Sequence, residues 1–260
     1  MLWRPSDVVD ALRQPRAAFA ETAHRPWPLP GGPWVMGQTW QDLLFAHWPV
    51  DPDALREHVP EEIRLDTYDG AAWIGVTPFV ATGVRPRLTL PLPGTARFPE
   101  INVRTYATID GKPGIWFFSL DADSRLAVEM ARRVYRVPYF PADMGMRRDG
   151  ERIHYLAERT QADAPPAGIE LDYAPTGDAF NAELGSFEHF ACERYCLYVL
   201  DDERRVLRGD IHHPPWPLRH AEAEIAWNRM GEQVGIELDG EPVLHLSPRQ
   251  DVVFWLNRRA

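Results

Sequence analysis

Glu100, Asn102, Arg104 and Tyr106 fall at alternate positions of one short segment, Phe-Pro-Glu-Ile-Asn-Val-Arg-Thr-Tyr, over 98–106. In an extended strand, residues two apart share a face. These four would therefore form one polar strip, with Ile101, Val103 and Thr105 on the opposite face. A carboxylate, an amide, a guanidinium and a phenol in a row can orient a polar ligand, and Arg104 can meet a carboxylate with two N–H groups. The same alternation also describes a strand with one face in water. The following strand, 115–121, carries Trp116, Phe118 and Leu120 on one face and Ile115, Phe117, Ser119 and Asp121 on the other.

Other chemistries find less support. Lys112 is the single lysine among 28 basic residues. It sits in Asp-Gly-Lys-Pro-Gly, a hairpin tip, outside the buried setting that activates an amine nucleophile. Cys192 and Cys196 are four apart, which is neither a redox nor a zinc spacing. If one helix carried both they would share its face, as core thiols. His47 follows an apolar run and reads as a strand-end histidine bonded to backbone. His212 and His213 are adjacent and point oppositely on a strand, and no HxH or HExxH spacing supports a metal. Ser119 lacks a nucleophile-elbow context. Arg85 and Arg87 lie in a Pro-rich loop, 85–97, whose length is that of a lid. They could close over an anion, although surface arginines are the simpler reading.

The elements that would position these groups can be read from pattern. A helix is expected over 6–23, capped by Ser6 with Asp7 and Asp10 in its first turn and kinked or split by Pro15. A proline-rich connector follows over 25–33, then an extended run over 34–48 and a short helix from Asp51 or Asp53 to Val59. From Ile63 the signal is β: 72–81, 98–109 and 115–120, with Asp69–Gly70 and 110–114 as turns. Ser124 opens a helix over 125–135, where Leu126, Met130 and Val134 form an apolar stripe. Hairpins follow over 144–159 and 196–212, with a strand over 169–173 and a short helix over 186–195 between them. The segment 221–227 is ambiguous, and two short strands, 244–246 and 252–256, close the chain. Strands in hairpins outnumber helices. The class is α+β, mainly antiparallel, in a sheet curled or closed like a barrel, as one domain over 1–260 with an N-terminal helix and connector over 1–33 and a β-rich core over 34–260.

Composition bounds the partners. The net charge of −10 over 260 residues argues against nucleic acid. No apolar run is long enough to span a membrane and no signal segment opens the chain. Two cysteines make no disulfide framework, so a reduced, cytoplasmic setting is expected. Twenty-five prolines and ten tryptophans fit a packed β-rich core better than a helical bundle.

The 98–106 segment, Gly-Ile-Trp-Phe-Phe-Ser-Leu-Asp at 114–121 and Ala-Arg-Arg-Val-Tyr-Arg-Val-Pro-Tyr-Phe at 131–140 resemble the YqjF-like family of conserved bacterial proteins. So do the segments 45–51, 66–73 and 212–218. The resemblance runs from about Trp40 to Leu256 and carries no established activity. The family is remotely similar to acetoacetate decarboxylase-like proteins, which implies a partly closed, β-rich barrel with an internal pocket. In the decarboxylases a helix ends in an Arg-Glu…Tyr-Pro-Lys-Lys run whose lysine forms a Schiff base. Here Tyr139 and Phe140 stand in place of the lysines, and the aromatic-x-Glu strand motif falls on Phe98-Pro99-Glu100. The resemblance implies the scaffold without its amine.

The expected protein binds a small anionic or oxygenated organic molecule in a barrel pocket, with no cofactor and no metal. Glu100 and Tyr139 are the candidate catalytic pair for a lyase or hydratase step. Asn102, Arg104, Tyr106 and Ser119 are the candidate ligand contacts. The alternative is a non-catalytic binding or structural protein on the same scaffold, and either is compatible with a homo-oligomer. The polar strip is expected to face an enclosed pocket, with Glu100 and Arg104 coupled, while Ile101 and Val103 pack on the helix over 125–135.

Overall fold

The computed structural model describes residues 5–91 and 95–260. The 92–94 part of the expected lid loop lies outside the described residues. So do the side chains of Ser6, Asp7 and Asp10, the expected cap and first-turn acids. The first helix, α1 (Pro5–Ala18), runs through Pro15 and stops five residues earlier than its pattern implied. The Pro15 carbonyl still accepts from the Phe19 N–H at 3.1 Å. The lost N–H therefore leaves the last turn closed.

The strands follow in chain order. β1 (Met36–Val50), the short β2 (Arg64–Leu65), β3 (Ala72–Pro86), β4 (Arg97–Ile109) and β5 (Lys112–Ala122) come first. β1, β3, β4 and β5 lie side by side and antiparallel, with β2 at β4. The β4–β5 hairpin turns on Asp110 and Gly111, both at positive φ (50° and 70°). That is the two-residue geometry which matches strand twist. The short helix α2 (Pro52–Arg56) is capped by Asp51. The helix α3 (Arg125–Tyr135) begins where Ser124 Oγ accepts from the Ala127 N–H, and ends at Arg136 in the left-handed region.

β6 (Tyr139–Asp149), β7 (Arg152–Arg159) and β8 (Gly168–Phe180) form a meander. The helix α4 (Phe187–Cys192) is capped by Ser186. β9 (Cys196–Leu200) and β10 (Val206–His212) form a hairpin. β11 (Leu218–Asn228), β12 (Val243–Phe254) and β13 (Arg258–Arg259) finish the chain. The ambiguous 221–227 segment is thus the body of β11. The two short closing strands are one: β12 continues through Pro248, which is exposed and falls opposite the irregularity in β1 at Asp42 (φ 54°). A proline without an N–H is tolerated where the ladder is already broken.

Two strands divide their pairing and close the sheet into a ring. β5 lies parallel to β9 at Ile115–Trp116 and parallel to β6 at 120–122. β12 pairs β10 near its end and β11 near its start. Two circuits result, sharing β12-β1-β3-β4-β5. One is completed by β9 and β10, the other by β6, β7, β8 and β11. The fold is α+β with a mixed, ring-like sheet, mostly antiparallel as the hairpin pattern implied.

The apolar face of β4 points into the second circuit. Ile101 and Val103 are fully buried there with Leu44, Ala46, Trp48, Tyr155 and Leu171. This corrects the expectation that they pack on α3. The apolar stripe of α3 misled because two of its three members are half exposed: Leu126 is 46% and Val134 49% exposed.

Candidate active site

α3 lies on the other side of β4, over the polar strip. Its Ala127, Met130 and Ala131 help enclose a cavity of about 240 Å³. Phe98, Glu100, Asn102 and Arg104 follow one another along the cavity wall. From Phe98 to Arg104 is six residues of strand, about 20 Å at ~3.3 Å each. Most of the remaining described lining is apolar, with Trp40, Phe79, Phe117 and Leu120 among it.

Two of the expected contacts are not in the lining. Tyr106 is fully buried and its hydroxyl lies 2.5 Å from His47 Nε2. Its partner is 59 residues away in sequence, so no local pattern could show it. His47 itself bonds to this phenol rather than to backbone as expected. Burial, with Arg104 and His245 nearby, holds its imidazole neutral. Ser119 is turned away by a bulge. The β4–β5 register passes from Val103↔Ser119 to Arg104↔Phe117 and leaves Phe118 extra. Ile115, Phe117 and Leu120 therefore face the cavity, and Ser119 Oγ is buried with no partner.

Glu100 is 4% exposed and accepts a hydrogen bond from the Tyr139 hydroxyl, 2.8 Å to Oε1. Burial pushes its carboxyl up to about 8; the Tyr139 bond opposes this and the neighbouring Asp121 adds to it. Glu100 is thus largely protonated at pH 7. With Oε1 occupied as acceptor, the carboxyl retains an O–H to give. Burial and the adjacent Glu100 raise the Tyr139 phenol well above its ordinary value, so it stays a donor. Asn102 accepts from Thr77 Oγ1 at 2.5 Å through Oδ1. That bond fixes the amide orientation.

Arg104 differs from its expected role. It is not coupled to Glu100. Its Nη2 reaches the Ala191 carbonyl of α4 at a marginal 3.5 Å, and its Nε is buried without a partner. The guanidinium lies over the rings of Phe45 (5.2 Å) and Tyr106 (5.7 Å). Among the described residues no carboxylate pairs with it. The other two arginines of the lining have their donors met from within the chain, Arg194 near Arg104 and Arg85 at the far end. Arg194 Nη1 binds Asp66 Oδ2 at 2.7 Å and its Nε binds the Phe190 carbonyl. Arg85, read from the sequence as a loop arginine that could close over an anion or lie on the surface, is buried in the cavity lining. Its Nε and Nη2 hold the Ala11 carbonyl of α1 at 3.0 and 2.6 Å.

Sequence reasoning missed Arg194, His213, Trp216 and Cys192 as cavity lining. His213 and Trp216 stood in the marked 212–218 segment, but nothing local told which way they point. Adjacent His212 and His213 do diverge: His212 meets Arg25 and the Glu21 carbonyl, and His213 faces the cavity. The two cysteines do not share a helix. Cys192 ends α4 and Cys196 begins β9, both as free thiols raised by burial, Cys196 to about 11. Among the described residues no group of three or more His, Cys, Asp or Glu is arranged to hold a metal. No helix among them is long and apolar enough to cross a membrane. Lys112 lies on the β4–β5 hairpin and is not part of the lining.

This ring of strands with an internal cavity is an acetoacetate decarboxylase-like fold. The enduracididine biosynthesis enzyme MppR, complexed with the condensation product of pyruvate and imidazole 4-carboxaldehyde, superposes with a TM-score of 0.63 at 13% identity, covering 88% of this chain and 90% of that one. An acetoacetate decarboxylase-like enzyme from Sphingomonas wittichii RW1 gives 0.60 at 13%, covering 92% and 100%. Acetoacetate decarboxylase from Legionella pneumophila gives 0.53 at 11%, covering 92% and 93%. At such identities the likeness is one of fold. Within that fold the chain belongs to the DUF2071 family of uncharacterized conserved proteins, matched over residues 37–251. It is 47% identical to the uncharacterized protein YqjF of Bacillus subtilis (strain 168) over 232 residues, 89% of this chain and 95% of that protein.

Proposed function

We propose that the protein binds a small organic carboxylate in this cavity and carries out acid/base chemistry on it of the lyase or hydratase type, without a lysine imine. The observation that carries the reading is Arg104: a buried guanidinium in the cavity wall with no carboxylate of its own. An ion removed from water without a counter-ion is costly. A ligand carboxylate would supply two N–H···O bonds and the missing charge. Asn102 would hold the next polar atom.

Glu100 then has the catalytic role. As a protonated carboxyl it gives its proton to a carbonyl or departing hydroxyl oxygen of the ligand. The Tyr139 hydrogen bond stabilises the carboxylate left behind. The absence of lysine from the described lining, with Tyr139 at the position the resemblance assigns to the amine, supports chemistry without an imine. That MppR has been obtained with a pyruvate-derived product is in keeping with an organic acid as ligand.

Calorimetric titration with a panel of oxo and hydroxy acids, followed by turnover assays on those that bind, tests the reading. Binding should weaken at least tenfold in Arg104→Gln, and turnover should vanish in Glu100→Gln while binding persists. Binding that is indifferent to Arg104 would overturn it.

A further inference from the structure

The two ends of the cavity differ in kind. At one end are Arg104, Cys192, Arg194 and His213, all buried. At the other, Pro86, Val134 and Leu256 line the cavity and also reach the surface; Leu256 is 57% exposed. The register fixes which end is which. Arg104 sits opposite Gly75, near the Ala72 end of β3, while Arg97 sits opposite Thr82, towards the Pro86 end of that strand. Met36 pairs with both Pro86 and Phe254, which gathers three strand ends at the mouth. A mostly apolar passage, whose lining also holds Gln38, Arg85 and Thr95, therefore leads from water, past Glu100 and Tyr139, to the Arg104 cation.

We infer that the ligand is a medium-chain carboxylate, a linear hydrocarbon acid that enters carboxylate first and leaves its chain along the apolar passage. This rests on the reading of Arg104 as the anion site. The volume is the second support. About 240 Å³ is well above the ~150 Å³ of an apolar cavity that takes up benzene, which leaves room for more than a short acid. A two- or three-carbon acid would occupy the Arg104 end and leave Leu120, Phe117, Met130 and Val134 facing unfilled space. Apolar lining of this kind binds by displacing water from hydrocarbon, which rewards each added methylene until the mouth is reached. An oxygen function on the chain would pass close to the Glu100 proton.

Titration of the intact protein with straight-chain acids from acetate to dodecanoate decides the matter. Affinity should rise about fourfold per methylene, roughly 200-fold from butyrate to octanoate, and then level off. Leu256→Glu, a change at an exposed position, should weaken octanoate more than butyrate. If butyrate and octanoate bind within threefold of one another and Arg104→Gln abolishes both, the chain-length inference fails while the anion site stands. If octan-1-ol binds as well as octanoate, or Arg104→Gln leaves octanoate binding intact, both fail.

Discussion

Two buried arginines on separate strands of the ring have opposite surroundings. Arg159 of β7 grips Asp121 of β5 with two parallel hydrogen bonds, 2.7 and 2.8 Å, with both side chains almost wholly buried. It also holds the Pro165 carbonyl and Gln233, and its guanidinium covers the Phe140 ring at 3.9 Å. Arg104 of β4 has a marginal carbonyl contact, the Tyr106 hydroxyl, two aromatic rings and an orphan Nε. The first is closed: charge and donors are met from within the chain, at the seam where β5 turns from β9 to β6. The second is open on the side facing the cavity. On the reading proposed above, a buried cation left open in this way takes its partner from outside.

The largest effect should come from breaking the closed pair. Arg159→Ala leaves Asp121 buried and unpaired, and should cost about 3–5 kcal/mol in denaturant melts. A cost near zero would show that water reaches the seam, and the contrast with Arg104 would dissolve.

The next effect concerns the acid between the two arginines. Glu100 has a folded pKa of about 8 against an ordinary 4.5. The native state therefore holds a proton that the unfolded chain releases between these values. Its stabilising contribution is fully present below about 4.5, declines as pH rises, and is gone above about 8. Wild-type stability relative to Glu100→Gln should fall by roughly 3–5 kcal/mol across that window, because glutamine keeps the Tyr139 contact and cannot ionise. A flat difference would mean that Glu100 is charged in the fold and could not serve as the proton donor.

Much of this was legible in the sequence, because local chemistry governs it. Ser124 and Ser186 announce their helices, Asp110–Gly111 announces its hairpin, and the period-two alternation of β4 separates Glu100, Asn102 and Arg104 from Ile101 and Val103. What failed depended on contacts between distant segments. One extra residue at Phe118 reverses the inward face of β5 and removes Ser119 from the cavity. Tyr106 shares the alternation but is claimed by His47. The side of the sheet covered by α3 could not follow from its stripe, since both faces of β4 are buried and each would accept a helix. The same blindness coupled Glu100 to Arg104: four residues apart on a strand, about 13 Å, they stand at different points of one wall.

The central claim is that Arg104 has no internal counter-ion, and its stability measures this most directly. Arg104→Met keeps the long apolar stem against Phe45 and Tyr106 and removes the charge. In ligand-free protein at pH 7 the substitution should be neutral, or stabilising by about 1 kcal/mol, since an uncompensated buried cation is replaced by a hydrophobe that fits the same wall. A loss of about 3–5 kcal/mol would contradict the account, because it would show that Arg104 neutralises a carboxylate within the fold.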